Sequence, residues 1–140
     1  MTRIDFHLNV ADHLLYTCRL IRKAYSSGLN IVCYSTQLDV LKQLDTLLWT
    51  FSEDDFLPHL LTGHADVAQT PILLTDKAED IVHYNVLINL DDQWPPFFAR
   101  FDRLVEIVRP EEPNKVLARE RYTFYKERGY PLNTYDKTNG

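Results

Sequence analysis

The first fifty residues alternate between two hydrophobic periods, and this alternation limits the possible folds more than any other feature. Ile4, Phe6 and Leu8 recur at every second position against Asp5 and His7, which predicts a strand from Ile4 to Val10. Asp12 can then cap a helix to about Ser26, with Leu14, Cys18, Ile21 and Tyr25 at helical spacing and Gly28 beyond its end. Asn30 to Tyr34 is a short apolar strand. Thr36 with Asp39 has the form of a capping box, ahead of a second amphipathic helix through Leu38, Leu41, Leu44 and Leu48. A strand-helix-strand-helix order implies right-handed crossovers and a sheet covered on both faces.

The rest of the chain extends that sheet. Pro71 to Thr75 and Tyr84 to Leu90 read as strands joined around Asp76 to Asp80, which makes the expected sheet mixed though mostly parallel. Pro95 and Pro96 start a short helix with Phe97, Phe101 and Leu104, and Val105 to Val108 supplies another strand. A last helix begins near Glu111 and ends at Gly129, with Pro131 preventing its continuation. The expectation is a single domain over residues 1–140, with residues 136–140 fraying. Its class is α/β, a three-layer α/β/α sandwich, Rossmann-like but without a nucleotide-binding loop.

That qualification rests on the glycines. Nucleotide-binding folds use glycine to bring backbone N–H groups against phosphate. The four glycines here are Gly28, Gly63, Gly129 and Gly140, and the first strand-to-helix turn, Leu8-Asn9-Val10-Ala11-Asp12, has an acid where phosphate would sit. His59, His64 and Asp66, with Asp54 and Asp55 nearby, fit no standard zinc spacing and contain no Cys, so no metal is expected. Ser26, Ser27, Ser35 and Ser52 lack a nucleophile-elbow context, so no catalytic residues emerge. No cofactor is expected either.

Cys18 and Cys33 fall on a helix and a strand without Cys-x-x-Cys spacing, which suits buried free thiols. The start, Met1-Thr2-Arg3-Ile4-Asp5, lacks the apolar run of a signal peptide, and no segment approaches the roughly 20 apolar residues of a membrane span. A cytoplasmic protein with no membrane partner is expected. Charge is unevenly placed: residues 1–108 carry 8 basic and 15 acidic groups, a balance of -7, whereas residues 109–140 carry 7 and 5, a balance of +2. An acidic whole argues against strong direct binding of nucleic acid, which draws affinity from basic surface. A local basic face suits a short acidic peptide instead.

That face lies on the last helix. Lys115, Arg119, Tyr122 and Lys126 are spaced four, three and four residues apart, so they share one side of it. Leu117, Ala118, Phe124 and Tyr125 spread over the other side, and Arg121 sits among them, where an internal carboxylate or carbonyl partner is expected. Separately, Trp49 at the end of the second helix and Phe56 in the following loop could present two rings at one edge of the fold.

Leu117-Ala118-Arg119-Glu120-Arg121-Tyr122, followed by Gly129 and Leu132-Asn133-Thr134, closely resembles the C-terminal signature of the chi subunit of bacterial DNA polymerase III. Leu48-Trp49, followed by Phe56-Leu57-Pro58-His59, resembles a second block of that family in the right order. The resemblance implies a non-catalytic adaptor of the clamp-loader assembly in DNA replication. It further implies that the acidic C-terminal tail of single-stranded DNA-binding protein, ending in Phe, binds at Val108, Arg119, Tyr122, Thr123 and Lys126. Arg119 would pair with the terminal carboxylate while Tyr122 and Val108 hold the ring. Trp49 and Phe56 would engage the psi subunit, or a repair helicase competing for the same surface. A small nucleotide-dependent enzyme is the alternative from another class. One departure concerns Thr123, where the family pattern has Lys; Lys126 or Lys115 would have to replace that cation.

Overall fold

A computed structural model describes residues 1–51, 57–61 and 70–138. Its strands are β1 (Arg3–Leu8), β2 (Ile31–Tyr34), β3 (His59–Leu61), β4 (Ile72–Thr75), β5 (Val86–Asn89), β6 (Arg103–Ile107) and β7 (Leu132–Asp136). The helices are α1 (His13–Ser26), α2 (Leu38–Thr50) and α3 (Asn114–Glu127). The strands form one sheet in the order β3-β4-β2-β5-β6-β1-β7.

Every described pairing is parallel, so the antiparallel component of the expected mixed sheet is absent among the described residues. The reason lies in the connection from β4 to β5. These strands flank β2 on opposite sides, so the chain crosses over β2 and enters β5 in the same direction. The fold is α/β, as the opening alternation requires.

Alternate strand residues divide between two cores. Ile31, Cys33, Ile72, Leu74, Val86, Ile88, Val105 and Ile107 pack with Leu14, Cys18 and Ile21 of α1 and Leu41, Leu44 and Leu48 of α2. Val32, Leu73, Leu87, Leu104, Ile4 and Phe6 pack with Ala118 and Tyr125 of α3. Covering both faces changes the status of the polar positions in β1, because Asp5 and His7 are buried rather than solvated. Asp5 therefore takes partners on both neighbouring strands: Arg103 Nε donates to Oδ2 at 2.8 Å and Asn133 Nδ2 to Oδ1 at 3.1 Å. His7 shares a hydrogen bond between Nδ1 and the Tyr16 hydroxyl. Both cysteines are buried free thiols.

Local signals were met at the helix ends with one exception. Asp12 Oδ1 accepts from the Leu15 N–H at 3.2 Å, capping α1. Gly129, at φ 80°, follows α3 and its N–H donates to the Lys126 carbonyl at 3.0 Å. Thr36 does not cap α2: its hydroxyl donates to the Asp91 carboxylate at 3.0 Å, and Gln37 is the capping position without a side-chain bond. Where a helix was expected after Pro95 there is a single 3-10 turn at Phe98–Arg100, and Leu104 belongs to β6. α3 starts at Asn114, three residues after the expected Glu111. The strands β3 and β7 had no counterpart in the sequence reading.

Candidate peptide-binding groove

The position of α3 is set by a buried polar cluster. Glu106, with no exposed surface, points from β6 towards the helix, and Arg121 Nε donates to its Oε1 at 3.1 Å. Tyr125 donates its hydroxyl to Oε2 at 2.6 Å, and Asn89 Nδ2 reaches both carboxylate oxygens at 3.0 and 3.1 Å. Arg121 Nη1 also donates to the Asp92 carbonyl at 2.7 Å. The internal partner expected for Arg121 is therefore Glu106. Burial pushes the Glu106 carboxyl above its usual range, opposed by Arg121, Tyr125 and Asn89, and the same burial with the nearby carboxylate pushes the Tyr125 phenol up. A cluster of this kind fixes how a helix is rotated on a sheet, because an offset of one residue would strand a buried charge.

Fixing Arg121 and Tyr125 inward fixes where their neighbours point. Tyr122 packs edge-on against Phe6 of β1, with ring centroids 5.3 Å apart. Beside it opens a groove of about 340 Å³ lined by Phe6, Leu8, Asn9, Val108, Lys115, Ala118, Arg119, Tyr122 and Thr134. Its floor comes from β1 and β7, and α3 supplies its cationic wall. Phe6, Val108 and Ala118 make the base apolar, and Lys115 and Arg119 place positive charge at the rim. Such a cleft suits an apolar side chain attached to an anion.

Of the residues expected to act together, the structure gathers Val108, Arg119 and Tyr122 into this lining. Thr123 and Lys126 do not line it. α3 joins the end of β6 to the start of β7, so it runs opposite to both, and Lys126 falls at the end where β1 and β7 begin. Lys115 lies at the other end, inside the lining. Phe6, Leu8, Asn9, Ala118 and Thr134 were not anticipated as site residues. Phe6 and Leu8 carry the same alternation signal as core residues, Thr134 stands in the Leu-Asn-Thr segment, and Ala118, expected on the side of the helix away from the cations, lines the groove beside them.

The second expected surface lies at the opposite edge. Trp49, on the last turn of α2, is 57% exposed, and its ring packs against His59 of β3 with centroids 4.6 Å apart. The Leu57 carbonyl holds His59 through Nδ1 at 2.6 Å, and Asp45 Oδ1 approaches Nε2 at 3.2 Å without a hydrogen bond. Phe56 lies outside the described residues, as do Ser52, Asp54, Asp55, Gly63, His64 and Asp66. At the first strand-to-helix turn, where a nucleotide site would offer free N–H groups, the Asp12 carboxylate already occupies the helix end.

Fold and site together define a parallel α/β fold with a groove under its last helix that is apolar at its base and cationic at its rim. No helix among the described residues is long and apolar enough to cross a membrane. The sequence model of the family described as DNA polymerase III chi subunit, HolC, matches residues 1–133, and the chain belongs to that family. It is similar to the DNA polymerase III subunit chi of Pseudomonas aeruginosa, at 32% identity over 96% of each chain. It is also similar to the subunits of the same name from Haemophilus influenzae and Escherichia coli. Each is 28% identical over 84% of this chain, covering 82% and 80% of those proteins respectively.

Proposed function

We propose that this chain is a non-catalytic, cytoplasmic adaptor of the DNA polymerase III clamp-loader assembly, holding the acidic C-terminal tail of single-stranded DNA-binding protein in the α3 groove. The observation that carries this reading is the convergence of Val108, Arg119 and Tyr122, with Lys115, on one cleft. A terminal Phe ring would enter between Val108 and Tyr122 while its carboxylate meets Arg119. Burying the ring contributes about 1.5 to 3 kcal/mol, and each hydrogen bond to the carboxylate about 1.5 to 3 kcal/mol. Ordering a flexible tail offsets much of this, leaving an affinity on the order of micromolar. In this arrangement Lys115 takes the place of the cation missing at Thr123.

The Trp49 surface would meet the psi subunit, and its exposure at the far edge leaves the groove open at the same time. A repair helicase using Trp49 would compete with psi rather than with the tail. Calorimetric titration with a synthetic acidic peptide ending in a free Phe carboxylate tests the groove. Arg119→Ala is expected to weaken binding at least about tenfold, the loss of one charged hydrogen bond. Unchanged affinity would remove the assignment.

A further inference from the structure

One end of the groove carries a charge that the tail-binding reading leaves unused. Asn9, which lines the groove where β1 finishes, has a φ of 60°, in the left-handed region. Asn adopts it more readily than most residues, but it persists where surrounding contacts support it. Here they come from the other end of the chain. Asn9 Nδ2 donates to Asp136 Oδ1 at 3.0 Å and to the Thr138 hydroxyl at 3.4 Å, and the Lys137 N–H donates to the Leu8 carbonyl at 2.8 Å.

Asp136 is also braced by Thr138, whose N–H donates to the same oxygen at 2.9 Å and whose hydroxyl donates to it as well. An exposed carboxylate is thus fixed one side chain away from the groove wall. The Thr138 side chain, then Asn9 and the Thr138 N–H, hold this carboxyl below its usual range, and the charge of Lys115 adds to the effect. Lys115 lines the groove at the same end, since the first turn of α3 lies where β1 and β7 finish, so the carboxylate held by Asn9 stands on the Lys115 side of the cleft. Lys137, beside Asp136 in sequence, is directed over the Tyr135 ring at 5.8 Å.

We propose that Asp136 is a specificity-determining counter-charge of the groove: it offsets Lys115, leaves Arg119 to carry the terminal carboxylate, and repels acidic side chains from the end where β1 and β7 finish. This rests on the reading of the groove as an acidic-peptide site. It assigns unequal weight to two cations that line the same cleft. Because the charges are exposed, the effect is modest and salt-dependent, on the order of threefold in affinity at low salt.

The experiment uses the whole chain and two synthetic peptides, each ending in Phe with a free carboxylate, one preceded by Asp residues and the other by Asn residues. Asp136→Asn keeps the oxygen that accepts from Asn9 and Thr138 and removes only the charge. It is expected to bind the Asp peptide about threefold tighter than wild type, with no gain at high salt and no gain for the Asn peptide. Lys115→Ala should weaken binding more in the Asp136→Asn background than in wild type. Unchanged affinity for the Asp peptide, an equal gain for both peptides, or an equal gain in the distant control Glu79→Gln would each overturn the proposal. If wild type binds neither peptide, the groove reading itself fails. Binding by wild type with no response to Asp136→Asn removes the counter-charge alone.

Discussion

The two edges of the sheet offer partners different kinds of surface. At the β7 edge, Arg119, Lys115 and Tyr122 surround a cleft whose wall is set by the buried ion pair of Arg121 with Glu106. At the β3 edge, Trp49 stands out from the last turn of α2 with its ring against His59. A concave site can capture the end of a flexible segment, because most of the surface that shields the segment is already in place. A protruding ring needs a partner that brings its own pocket. Under the proposed function, the same small domain would hold a disordered tail at one edge and a folded protein at the other.

The largest expected effect strikes the cleft through its support. Glu106→Ala leaves the Arg121 guanidinium buried without a counter-charge and should cost about 3 to 5 kcal/mol of stability. Denaturant unfolding measures it, and a loss under about 1 kcal/mol would mean that α3 is seated by its apolar contacts instead. Next in size, Trp49→Ala should weaken binding of psi by about 2 kcal/mol, the threshold of a hot spot, while leaving the acidic peptide untouched. Loss of both interactions in that variant would show that the two edges are not independent.

A smaller effect separates the edges by pH. Burial, with Lys137 nearby, lowers the His7 pKa from 6.5 to about 4. The unfolded chain therefore takes up this proton first, and the stability His7 contributes is present above pH 6.5 and lost as pH falls towards about 4. Since His7 lies on β1 and its ring packs against Tyr135 of β7 at 5.2 Å, acid should loosen the β7 edge. Amide exchange should rise in β7 over that window and rise less in a His7→Gln variant. An identical acid response in the variant would assign the loosening to another group.

The sequence made the cleft legible where chemistry and period agreed. Helical spacing put Lys115, Arg119 and Tyr122 on one face, and the cost of burying a guanidinium foretold a partner for Arg121. What escaped depended on contacts between distant segments. β7 reads as Leu-Asn-Thr-Tyr-Asp, with no apolar alternation, because its residues after Leu132 are exposed and its place comes from backbone pairing with β1. Asp5 and His7 looked like the wet side of β1, and only the parallel arrangement, covered on both faces, makes them buried. Thr36 met the local rule for a cap, in which its hydroxyl would accept from a helix N–H, but the hydroxyl instead donates to Asp91, more than fifty residues away in the chain.

The place of β1 in the strand order also bears on how the chain folds. Among the described strands, β1 is flanked in the finished sheet by the two farthest from it in the chain, with Ile4 opposite Leu104 of β6 on one side and Leu132 of β7 on the other. β2, β4 and β5 can pair among themselves as they emerge, but β1 stays without a sheet neighbour until β6 exists. Closing so long a span of chain is entropically slow, so this half of the sheet should assemble last. The groove, built from β1, α3 and β7, is then among the final parts to form, and on the proposed function a tail would be held only once this half of the sheet has closed.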